Sequence, residues 1–186
     1  MAENTDAVRV GVLMKVYAAP IGTALPTDLA ALSASFTEVG LVDLDALTES
    51  LDVTKEILRA NQKPNGVRTL TTEINWTWQF KAMERNALVL ELFYLGATSA
   101  VATGITTTTI PASPGDTRKV FVVEEFDGDV HTRFVIPAGD VTARGEVPHR
   151  GTEGVSYDMT VAVLGTSLSD LGYIISDDPF LAADAS

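Results

Sequence analysis

The strictest hydrophobic pattern in the chain spans residues 73–82, where Ile74, Trp76, Trp78, Phe80 and Ala82 alternate with Glu73, Asn75, Thr77, Gln79 and Lys81. A period of two puts each set on its own side of a strand, so the stretch predicts one core face and one wet face. Both tryptophans of the chain lie on the apolar side. Large aromatics remove much apolar area from water, so Ile74, Trp76, Trp78 and Phe80 are expected to anchor the core. At Glu84-Arg85-Asn86 the period changes: Leu88, Leu92 and Leu95 recur at helical spacing, Asn86 offers an N-cap and Gly96 a stop. These signals predict a short helix that brings Leu88 and Leu92 to the same core.

The rest of the chain reads as strands and loops. Residues 8–17 suit a strand weakened by Gly11, and residues 18–36 form an extended loop because Pro20, Gly22 and Pro26 interrupt it. A helical turn at residues 28–32 after Thr27, a short strand at 39–43 and another at 55–60 are expected. The turn residues NQKPNG at 61–66 make 50–70 a loop region. Beyond the helix, the threonine-rich stretch 98–109 favours β structure and PASPGD at 111–116 breaks it. Residues 118–126 and 130–136 flank Asp127-Gly128-Asp129, a hairpin signal. Residues 141–147 and 155–164 suit two more strands. The tail 167–186 has no period, and it is expected to be an arm held by docking.

The expected class is therefore mainly β (α+β): a β-sandwich or barrel-like domain with one flanking helix after a long central strand. A length of 186 residues fits a single domain, 1–186. A formal charge of −12 from only 13 basic residues argues against binding along a nucleic-acid backbone, which needs clustered cations. The absence of cysteine excludes disulfides, thiolate metal sites and a cysteine nucleophile. No run of apolar residues is long enough to span a membrane, and MAENTDAV lacks the order of a signal peptide, so synthesis in the cytoplasm without a membrane step is expected.

Candidate chemistry is sparse. His131 beside a hairpin turn and His149 in a loop have no partner at motif spacing, so both are read as ordinary exposed residues. Glu124, Glu125, Asp127 and Asp129 lack the calcium-loop pattern and are read as an acidic hairpin tip; Asp177 and Asp178 are read in the same way. Nucleophile elbow, phosphate loop, zinc-protease helix and dinucleotide fingerprint are all missing. No catalytic, cofactor or metal site is expected, and the Trp76, Trp78, Phe80 stripe is read as core rather than as a stacking platform.

The order of the pieces resembles the tail tube (major tail) proteins of long-tailed bacteriophages, especially those infecting actinobacteria. The phrases that carry the resemblance are KVYAAPIGTALPTDLAAL at 15–32, FTEVGLVD at 36–43, TEINWTWQFKAMERNALVLELFYLG at 72–96, VFVVEEFDGDVHTRFVIP at 120–137 and GYIISDDPF at 172–180. The resemblance implies hexameric rings whose inner strands join into one barrel and stack into a hollow tube, with 50–70 as the stacking loop and 167–186 as a C-terminal arm, both ordered between rings. Its partners are then tail-tip, tape-measure and tail terminator proteins, and duplex DNA passes through without specific binding. An acidic wall would keep a polyanion from sticking. Two polar faces are candidates for the lumen: Glu73, Asn75, Thr77 and Gln79, or Arg118, Glu124 and their hairpin neighbours, with the hairpin slightly favoured for its denser acids. The competing classes are a stand-alone small β-barrel binding module or flavin enzyme, with basic turns only at Arg144-Gly145 and His149-Arg150-Gly151, and another virion part such as a tail terminator or head decoration protein.

Overall fold

The computed structural model describes residues 7–61, 63–151, 154–165 and 170–181. In chain order they form β1 (Leu13–Pro20), β2 (Thr37–Glu38), β3 (Thr48–Ala60), β4 (Lys63–Ala82), α1 (Ala87–Phe93), β5 (Thr98–Ala102), β6 (Ile105–Thr109), β7 (Lys119–Asp127), β8 (Val130–Arg144), β9 (Tyr157–Val163) and β10 (Tyr173–Ser176). Eight strands make one antiparallel sheet in the order β2-β1-β7-β8-β9-β4-β3, with β10 also on β8, while β5 and β6 form a separate hairpin. The class is mainly β with one short helix, as the patterning predicts.

The sheet curls closed. β2 pairs with β1 through Tyr17↔Glu38 and Ala18↔Thr37. A few residues on, the same segment reaches β4, bridging Val42 to Ala82, with Asp43 N–H donating to the Lys81 carbonyl at 2.9 Å. Residues 37–43 thus join the edge of β1 to the lower edge of β4. Of the strand expected over 39–43, only the Val42 bridge forms, because the segment changes partner halfway. Inside this barrel lie Val16, Phe121, Val123, Ile136, Val141, Met159 and Val161. Gly139 is glycine for space: a Cβ there would sit 2.7 Å from both Phe121 and Val161.

Helix α1 follows β4 after four residues and closes the core with Val89, Leu92 and Phe93. The Asn86 side chain caps it, accepting from Val89 N–H at 2.9 Å, while its amide donates to the Val39 carbonyl at 2.8 Å. One residue therefore both starts the helix and ties it to the strand that closes the barrel.

β8 differs from expectation. Two strands were predicted on either side of Pro137; one 15-residue strand runs through it. A proline has no N–H to give a ladder. At Pro137 none is needed: the β7–β8 register slips between Lys119 and Phe121, and on the other edge β10 faces only Thr132–Val135 while β9 begins opposite Gly139.

The larger departure is at 50–70. Instead of a loop, β3 and β4 pair continuously from Thr48↔Gln79 to Ala60↔Lys63, with slips at Thr54/Lys55, Leu58/Arg59 and Arg59/Ala60. Residues 65–75 and 48–59 are all exposed, so nothing imposes an alternation for the sequence to reveal. The N-terminal strand begins at Leu13 rather than at residue 8, and over residues 28–32 there are bends at 28–30 and irregular chain at 31–32 rather than a helical turn. There the Asp28 carboxylate accepts from Ala30 N–H at 3.0 Å, a local bond that competes with helix.

Candidate assembly surfaces

Of the expected core anchors, Trp76, Trp78, Phe80 and Leu92 are buried, and Leu88 is half-buried against the same cluster. Ile74 is corrected: it is 51% exposed. The alternation continues through it, but β9 ends its pairing with β4 at Thr77, so no second layer covers position 74.

The favoured lumen candidate at the hairpin is overturned at Glu124, which is 6% exposed. It faces Arg133 across the β7–β8 ladder, and Arg133 donates to it from Nε at 2.9 Å and from Nη2. Arg133, 2% exposed, also donates to the carbonyls of Asp28 at 2.5 Å and Ala30 at 3.0 Å. A buried ion pair thereby holds down the loop of residues 21–36, whose Leu25, Leu32 and Phe36 cover Val120, Val122 and Val135 on the outside of the barrel. Tyr173 adds a bond from its hydroxyl to the Pro26 carbonyl at 2.8 Å. Burial, with the Glu124 charge behind it, pushes the Tyr17 hydroxyl up to about 12. His131 is likewise not an exposed residue: it stacks on Phe126 at 4.3 Å, its Nε2 3.5 Å from Glu124. Arg118 is exposed but lies in the loop before β7, paired with Asp116, whose carboxyl it pulls down to about 2 through two side-chain bonds.

Asp177 and Asp178 also have structural roles. Asp177 accepts from the His131 backbone N–H at 2.8 Å. Asp178 takes two bonds from Arg9, 2.6 and 2.7 Å, and Arg9 lies over the Phe180 ring at 5.4 Å. The described residues after β10 are thereby tied to the segment before β1. The hydrogen bonds from Arg9, helped by the Phe180 N–H, hold the Asp178 carboxyl down to about 2.

The second candidate face is uncovered. Across β3, β4, β9 and the end of β8 the outward positions are Ser50, Asp52, Thr77, Gln79, Asp158, Thr160 and Thr142, joined by cross-strand bonds such as Gln79 Nε2 to Asp158 at 3.1 Å. Glu73 and Asn75 extend it, bonded to each other at 2.8 Å. Among the described residues both edges of this four-stranded sheet are open: β3 ends the strand order, and β7 accompanies β8 only as far as Gly139. Apolar side chains are also displayed on the distal β3–β4 arm (Leu51, Val53, Ile57), at the β5–β6 turn (Val101, Ile105), and around Leu41 and Leu44. Among the described residues no group of three His, Asp or Glu is placed to hold a metal ion, and no helix is long and apolar enough to cross a membrane.

Open sheet edges and scattered exposed apolar stripes define a class of protein that completes itself by assembly rather than around a substrate. The chain belongs to the phage tail tube protein family, whose sequence profile matches residues 1–186. It is a structural component of the virion tail and not an enzyme. No curated protein matches the sequence.

Proposed function

We propose that six copies form a ring in which the β8–β9–β4–β3 sheets join edge to edge around a channel, and that rings stack into the tube through which phage DNA leaves the capsid. In this reading β3 of one copy pairs with the Asp140–Arg144 edge of the next, and the virion is that of a long-tailed phage of the actinobacterial type. Tail-tip and terminator proteins cap the tube, and the tape-measure protein lies within it. The observation that carries the reading is the contrast between the two outer faces: the loop of residues 21–36 covers one, while the other is polar, bare and open at both edges. Up to Glu73 its charges are mainly acids, Asp52, Glu73, Asp140 and Asp158, with Lys81 opposing them; beyond it β3 and β4 carry Lys55, Arg59 and Arg68. Repeated sixfold, they make an acidic wall along which a polyanion slides without gripping. An unpaired strand edge is a template for another strand, which is how a ring gains its cohesion.

Electron microscopy of the concentrated protein tests this. Long hollow filaments with six-fold end-on views are expected; a chain that stays monomeric at high concentration overturns the proposal.

A further inference from the structure

The β5–β6 hairpin stands apart from the rest of the fold. Among the described residues it pairs with no other strand. Residues 92–115, which contain it, carry no charge, in a chain that is 20% charged. Exposed strand edges are ordinarily blunted by charges or by proline, because an unpaired edge is a template for another strand. Neither interrupts residues 98–110. The turn shows which groups are free. Thr103 and Gly104 both have positive φ, +50° and +76°, the two-residue turn that closes on a hydrogen-bonded pair, here Ala102↔Ile105. Bonded and non-bonded pairs alternate along the ladder, so Thr107 and Thr109 exchange bonds with β5, whereas Thr106 and Thr108 turn their N–H and C=O groups outward.

The side chains of Thr106 and Thr108 share a face with Ser99, whose hydroxyl meets that of Thr108 at 2.9 Å, and this face lines an open cleft of about 590 Å³. The rest of the lining comes from α1, the residues before it, and β9, with Leu90, Tyr94 and the buried Tyr157. The Tyr157 hydroxyl accepts from Arg85 Nε at 2.8 Å, and its ring stands edge-on to Phe93 at 5.1 Å, so a fixed phenol positions the guanidinium. Among the described residues Arg85 Nη1 and Nη2 have no partner, and Arg85 is the charged residue of the lining. The nearby acids are engaged elsewhere: Glu84 accepts from Leu41 N–H and Glu91 from Lys119.

We propose that this cleft takes an extended acidic segment of a second protein, which adds a strand to the outer edge of β6 and sets a carboxylate on the Arg85 guanidinium. Main-chain bonds to Thr106 and Thr108 supply affinity. Side chains at every second position of the added strand lie on the same face as Thr106 and Thr108, enter the cleft and supply specificity. The two Nη donors match the two oxygens of a carboxylate in a forked pair. In a chain of formal charge −12, an uncharged hairpin beside a lone cation is where an acidic segment approaches with least repulsion. The ring reading uses other edges, β3 and residues 140–144, so the two stand separately.

Amide NMR of the full chain, titrated with a short capped peptide in which threonine and valine flank a central glutamate, tests it. Binding should move the signals of residues 105–110. Glutamine in place of the peptide's glutamate, or Arg85→Gln in the protein, should each weaken binding about tenfold, with little further loss when the two are combined. Arg85→Lys keeps the charge without the fork and should fall between. Methylating alternate amides of the peptide should abolish binding for one set and spare the other, since the two edges of a strand alternate. A parent peptide that leaves these signals unmoved overturns the proposal, as does equal binding of the glutamate and glutamine peptides or of the two methylated sets. Arg85→Gln should also leave self-assembly of the purified chain unchanged. Loss of self-assembly in that variant, with an unaltered melting curve, would make the occupant another copy of this chain and likewise overturn it.

Discussion

From Trp76 to Ala82, β4 lies inside the barrel sheet, and its inward side chains Trp76, Trp78, Phe80 and Ala82 are buried; from Val67 to Asn75 the same strand has only β3 beside it, and every residue is exposed. The alternation does not stop at the boundary, since Ile74 continues it. What stops is the second layer. A period of two is a property of the strand, whereas burial is a property of what packs on it, and the mismatch at Ile74 marks surface that folding alone does not satisfy. The outside of the barrel shows the same contrast: beneath the loop of residues 21–36 a charged pair is buried, while across β3, β4 and β9 ordinary polar residues face outward.

The largest separation between the two halves of β4 should appear on truncation. Trp78 packs on Phe134 at 5.0 Å and Trp76 at 6.3 Å, and Trp78→Ala should cost about 3 to 5 kcal/mol, enough to leave a domain of ordinary stability largely unfolded. Ile74→Ser, four residues away on the same face, should stay within about 0.5 kcal/mol of the parent, as surface changes do. Urea unfolding of both reads the difference, and equal losses would mean that the arm half is packed in the monomer.

Next in size is the buried pair on the covered face. Arg133→Met strands the Glu124 carboxylate without its partner, which should cost about 3 to 5 kcal/mol, whereas Arg133→Met with Glu124→Leu should recover most of the loss. Hydrogen exchange should show residues 25–32 opening in the single variant, since two of their carbonyls lose their donor. Matching stabilities for single and double variants would contradict the ion-pair account.

How much of this was readable beforehand differs by residue. The core half of β4, the helix with its Asn86 cap and the β7–β8 turn follow from local pattern and cap chemistry, because packing there obeys the local period. Gly128 adopts the positive φ of +61° that the turn needs. The Glu124–Arg133 pair also follows from the turn: counting back from two turn residues after Asp127 sets 124 opposite 133, whereas acid density alone points to exposure. Of the arm only the strand over 55–60 was legible; residues 48–54 and 63–72 were not, because neither face is covered there and no alternation is enforced. Barrel closure by residues 37–43 and the loop over the outer face are long-range packing, which no local window contains.

A smaller effect concerns the clasp between the chain's ends. The Asp178 carboxyl is held down to about 2 from 3.8 by Arg9, so its folded value lies below its unfolded one. Its contribution to stability is therefore fully present above about pH 4 and is lost as pH falls toward 2. Hydrogen exchange across residues 173–180 should rise over that window, and Arg9→Gln should remove the pH dependence. A segment that opens equally in parent and variant would show that Arg9 does not hold it.

The smallest effect on folding, and the sharpest test of the bare face, is Glu73→Lys. The side chain is exposed and, among the described residues, bonded to Asn75, so monomer stability should change by less than about 0.5 kcal/mol. In a six-fold ring, however, one lysine per copy becomes a belt of six positive charges set in a low-dielectric wall, where the field is focused on whatever occupies the channel. Such a belt grips phosphates, and the grip weakens as salt shortens the reach of each charge, about 10 Å at 0.1 M. DNA release from virions carrying Glu73→Lys should therefore be slower than the parent at low ionic strength and approach it at high. Asp158→Lys, on the barrel half of the same face, should act in the same direction. Release that ignores both Glu73→Lys and Asp158→Lys at every salt concentration, from tubes that assemble normally, would remove this face from the channel.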